Sequence, residues 1–115
     1  MKAKLKELYS LDFNLDNFQP SNNECFVLSL RAMIGPEGND ASESFDIVVC
    51  TPRWLLENCR EPQWGRHMLI VPEYDLAKIR EIIENYCNSC EGKDWDAIAA
   101  LLSRIGRWEF EDYRQ

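Results

Sequence analysis

With 115 residues, five cysteines, 45% apolar and 29% charged side chains, the chain is long enough to bury a core without disulfide or metal staples. Its formal net charge of −7 argues against direct nucleic-acid binding, because affinity for phosphates comes from Lys and Arg. No apolar run of signal-peptide or membrane-spanning length follows the opening Met1-Lys2-Ala3-Lys4-Leu5-Lys6, so the expected setting is the cytoplasm, away from membranes and with reduced thiols.

Residues 3–9 predict a first strand, and Leu11 to Asp16 reads as loop or ribbon. Gln19-Pro20-Ser21-Asn22-Asn23 is a turn cluster. From Cys25 to Ile34 the chain alternates, with Phe26, Leu28, Leu30, Ala32 and Ile34 on one face and Ser29 and Arg31 on the other. Such a strand is covered on one side only. Gly35-Pro36-Glu37-Gly38-Asn39-Asp40 supplies a bend. Phe45, Ile47 and Val49 then mark a second alternating strand over 44–50, and the two strands form a hairpin.

At the end of that strand, Thr51 is a good N-cap and Pro52 suits the first helical position. The short helix they open carries Trp54, Leu55 and Leu56 and reaches about Asn58. His67 to Val71 is a short apolar strand closed by Pro72. Asp75 caps a helix running to about Ser89, whose Leu76, Ile79, Ile83, Tyr86 and Cys90 form one stripe, with Lys78, Glu81, Glu84 and Asn85 on the wet side. Asp94 caps another helix, with Trp95, Ile98, Leu101, Leu102 and Ile105 facing inward and Gly106 as the stop. In the tail, Trp108 and Phe110 alternate with Glu109 and Glu111, which suits a final strand, although a last helical turn fits nearly as well. The predicted class is α+β: a single domain over 1–115, with an antiparallel sheet of about four strands, a C-terminal fifth as an addition, packed against about three helices.

Chemistry has few places to reside. Cys50 precedes a helix start, where a thiol pKa can fall, but the chain has one histidine, His67, and a nucleophilic cysteine usually needs an adjacent base. Packing is the stronger reading of Cys50, as it is of His67 in its apolar strand. Cys87-Asn88-Ser89-Cys90 has redox spacing but falls at a helix C-terminus beside Glu84 and Glu91, where thiolate is disfavoured. No second CxxC or His pair completes a zinc site, and GxSxG, HExxH and phosphate loops are missing. Neither a metal nor another cofactor is expected. If the helix end is partly exposed, Cys87→Ser should cost little.

Several segments, read together, are more specific than any alone: Ala32-Met33-Ile34-Gly35-Pro36-Glu37-Gly38, Glu43-Ser44-Phe45-Asp46, Val49-Cys50-Thr51-Pro52-Arg53-Trp54-Leu55 and Trp108-Glu109-Phe110-Glu111-Asp112-Tyr113. This set resembles the immunity protein 8 family of bacterial polymorphic toxin and contact-dependent growth inhibition systems. The resemblance implies a non-enzymatic cytoplasmic antidote that binds the C-terminal domain of a cognate toxin. An acidic antidote suits a basic groove of the kind a nuclease keeps for phosphates. Two acidic clusters are the candidate contact surface: Glu37, Asp40 and Glu43 in the hairpin loop, and Glu109, Glu111 and Asp112 in the tail, where Trp108 or Tyr113 is the aromatic anchor. The alternatives are a small thiol or hydrolytic enzyme using Cys50 or the Cys87/Cys90 pair, and a scaffold with constitutive partners. Oligomeric state is not legible.

Overall fold

A computed structural model describes residues 1–111. The alternation over 27–50 becomes the hairpin of β2 (Val27–Pro36) and β3 (Glu43–Cys50), in register from Val27 opposite Cys50 to Ile34 opposite Glu43. Leu28, Leu30, Ala32, Ile34, Phe45, Ile47 and Val49 are all buried on one face. On the other face, Arg31 forks onto Asp46 with bonds of 2.8 and 3.0 Å. About a third of each of these side chains is exposed, so the pair contributes at most about 1 kcal/mol.

β1 (Ala3–Ser10) pairs antiparallel with β2, with a register shift between Leu5 and Glu7. Ala3 and Leu5 are odd-numbered, whereas the buried Leu8 and Ser10 are even-numbered. The shift at Lys6 resets the alternation, so both halves of the strand face the helices. Residues 11–26 have no regular structure, but a chain of rings fastens them. Phe13 meets Phe18 at 4.8 Å, Phe18 meets Tyr74 at 5.3 Å, and Tyr74 meets Phe26 at 5.2 Å.

The caps fall where the sequence places them. Thr51 Oγ1 accepts from the backbone N–H of Trp54 at 3.3 Å to start α1 (Pro52–Asn58), and it also accepts from Phe26 N at 3.2 Å. The one hydroxyl therefore joins a helix start to a sheet end. Asp75 and Asp94 cap α2 (Leu76–Ser89) and α3 (Trp95–Leu102) by the same chemistry. These two helices deliver Ile79, Ile83, Cys87, Ile98, Ala99 and Leu102 onto the apolar sheet face. α1 buries no residue, and its Leu56 is 81% exposed, so it is not a core helix.

The fold is α+β, and its sheet is mostly antiparallel. β4 (Met68–Ile70) is the exception, running parallel to β3. The connection through α1 is long enough to return the chain to the same end of the sheet, which a tight turn cannot do. β5 (Arg107–Trp108) lies antiparallel on that same side of β3, against Phe45 and Asp46, so the expected tail strand is present but only two residues long. The short strand starts one residue later than expected. His67 takes φ 57, a left-handed conformation, and so stands outside the alternation.

Candidate functional site

Glu43 at the base of the hairpin loop and Glu109 in the tail, far apart in sequence, come together because β5 pairs with β3 at Phe45 and Asp46. The contact is made by side chains as well as backbone. Glu43 Oε1 accepts from the indole N–H of Trp108 at 3.2 Å and from that of Trp95. Glu109 Oε1 accepts from the backbone N–H of Ser44 at 2.7 Å, while Ser44 O accepts from Glu109 N at 3.0 Å. Trp108 stacks on Phe45 with centroids 6.5 Å apart and planes 10° from parallel. Loop base and tail thus form one ridge.

Within that ridge the candidate carboxylates have different duties. Glu43 is half-buried under two indoles. Glu111 has a side chain only 13% exposed; it takes a bond from Arg66 at 3.0 Å and lies 3.5 Å from His67 Nε2. That nitrogen also faces the carbonyl of Ser103 at 2.8 Å, an acceptor, which places a proton on Nε2 and occupies the imidazole structurally. Glu37 and Asp40 are exposed and take no side-chain partner among the described residues. Their loop is nonetheless tied down. Glu37 N donates to Lys2 O at 2.8 Å, Ala41 N donates to Asn39 Oδ1 at 2.9 Å, and the Lys6 ammonium reaches the carbonyls of Pro36 and Asn39. Gly38 supplies the turn with φ 97. Asp112 and Tyr113 lie outside the described residues.

Three exposed apolar groups were not among the candidate contact residues. Phe110 is 39% exposed and meets Trp108 edge-on at 5.4 Å, so it is the more accessible ring of the pair. Trp64 is 94% exposed in a stretch without periodicity. Ile82 is 52% exposed, and its only sequence signal was an apolar residue off the stripe of α2.

The candidate thiols Cys50, Cys87 and Cys90 are poor nucleophiles. Burial pushes Cys87 up to about 12, helped by Cys90 and the charge of Glu84. Burial raises Cys90 and Cys50 as well. All five cysteines are free, and no group of three or more His, Cys, Asp or Glu among the described residues could hold a metal ion. One expectation is corrected: Cys87 is fully buried in the core, not partly exposed at a helix end. Cys87→Ser should therefore cost about 1–2 kcal/mol by placing a hydroxyl among apolar groups, read as a lower urea midpoint with unchanged slope. An unshifted midpoint would show that the site tolerates polarity.

Among the described residues, no helix is long and apolar enough to cross a membrane. The sequence model described as Immunity protein 8 matches residues 3–113, nearly the whole chain. No curated protein and no solved structure matches it.

Proposed function

We propose a function from this premise: the chain belongs to the immunity protein 8 family. It acts as an antidote, binding the C-terminal domain of a cognate toxin in the cytoplasm of the producing cell and blocking it stoichiometrically, without catalysis of its own. The family match carries the role. The ridge where hairpin loop and tail meet supports the contact surface, which comprises Glu37, Asp40, Glu43, Trp108, Glu109 and Glu111, with Asp112 and Tyr113 next in sequence.

The residues of this ridge divide the work. Glu43 and Glu109 hold the loop base against the tail. Glu37 and Asp40 project from the loop so fastened and steer a basic partner toward it. Because the loop is already ordered, docking on it requires little further ordering. Phe110 presents an aromatic contact beside the charges. A toxin surface that fits is a basic groove, such as a nuclease uses for phosphates. The thiol-enzyme alternative has no supporting observation, since its cysteines are buried and held protonated near neutral pH.

Reversing both exposed charges, Glu37→Lys with Asp40→Lys, should slow association with the toxin domain by about tenfold or more at low salt. The thermal midpoint should be unchanged, and added salt should slow the parent more than the variant. Equal association rates at low salt would remove the loop from the contact surface.

A further inference from the structure

β4 is an edge strand: it pairs with β3 on one side and, among the described residues, with no strand on the other. The bonds Val48 N to His67 O and Val71 N to Cys50 O fix which backbone groups face β3. In a parallel ladder the intervening residues then point the other way, so Met68 and Ile70 direct N–H and C=O groups outward. A groove lies alongside that edge. Two clefts, of about 340 and 220 Å³, share Leu69 and Ile82 and run together between β4 and α2. Ile70, 53% exposed, and Ile82, 52% exposed, stand at its two sides. At one end are Arg66 and Arg104. Arg66 is paired with Glu111, whereas Arg104 lies against the Tyr86 hydroxyl and has no carboxylate within ion-pair distance among the described residues. Trp64 projects from the loop at that end.

We infer that this groove takes an extended segment of the toxin domain as an added strand on β4, apolar in its middle and carrying a carboxylate at the Arg104 end. The inference rests on the antidote reading above and names a second contact for the same partner. Three features point to that occupant. Outward N–H and C=O groups on an edge call for a strand. The isoleucines call for apolar side chains in alternate positions. An arginine with no carboxylate partner among the described residues, in a chain of net charge −7, calls for an acid. The groove is also continuous with the ridge, because β5 and β4 lie end to end on the same side of β3, reaching Asp46 and starting at Val48. One partner can therefore cover both.

Proline at an outward-facing position removes the N–H that β4 would donate to the added strand, while leaving the β3 ladder intact. In complexes with the toxin domain, Ile70→Pro should weaken affinity at least about tenfold relative to Ile70→Ala, which truncates the side chain but keeps the N–H. Arg104→Glu should weaken binding as well. In the parent protein, the amides of Met68 and Ile70 should exchange rapidly when free and become protected in the complex, a measurement independent of how any variant folds. If the complex forms but these amides stay unprotected, and Ile70→Pro binds like Ile70→Ala, the groove is not the contact and the antidote role stands. If no complex forms with the parent protein, both inferences fall.

Discussion

Ile47→Asp should remove about 3–5 kcal/mol of stability, a large share of what a domain of this size possesses. Ile47 is 2% exposed in the middle of β3, opposite Leu30, and the rest of its face is apolar. No cation is among the buried residues of that cluster, so a carboxylate there would be buried unpaired or would take up a proton to avoid its charge. There is little room to adjust, because Gly106 passes so close that a Cβ on it would stand 3.2 Å from Ile47 Cγ1. Urea denaturation followed by circular dichroism would read the loss. A variant within about 1 kcal/mol of the parent would mean that this face is not the core.

Gly35→Ala is the second substitution with a large expected effect, and here sterics decide. An added Cβ would lie 1.8 Å from the carbonyl oxygen of Ala41 and 2.7 Å from its carbon, so the backbone across the hairpin must move. Overpacking of this kind costs about 1–3 kcal/mol, and a clash with backbone belongs at the upper end. Gly38→Ala is the useful comparison. Its φ of 97 strains an alanine, yet nothing lies within 4 Å, so about 1 kcal/mol is expected. Because Gly35 is the next-to-last residue of β2, just before the loop, its variant should also displace Glu37 and Asp40 and reduce toxin association. Equal stability of the two variants would contradict the close approach of the strands.

Local rules made much of the fold readable. The 28-30-32-34 and 45-47-49 alternations, the Thr51-Pro52 start, and the caps Asp75 and Asp94 each follow from side-chain direction or an unsatisfied N–H. The direction of β4 was not readable, because the periodicity of a three-residue strand carries no sign of its neighbour's orientation. The left-handed turn at His67 was hidden as well, since its imidazole meets Ser103 and Glu111, residues remote in sequence. Cys87 was missed because α2 buries residues 79, 83 and 87 at steps of four, whereas the sequence stripe passed through Tyr86.

The candidate surface was legible only in part. Acidic loop and acidic tail could each be found by composition. Their meeting depends on β5 pairing with β3, a long-range contact for which two residues give no pattern. Nor could composition separate Glu37 and Asp40, free in solvent, from Glu43 and Glu111, which hold indoles and an arginine. The β4 groove is a property of an edge, and edges exist only once strands have been ordered.

Neutralisation of a cognate toxin by direct binding is tested by co-expressing this chain with the C-terminal domain of the neighbouring gene's product, scoring survival and co-purification in one experiment. Survival only in the presence of this chain, with a stoichiometric complex recovered from the survivors, is the predicted result. Equal killing with and without the chain, and no complex in the lysate, would contradict it.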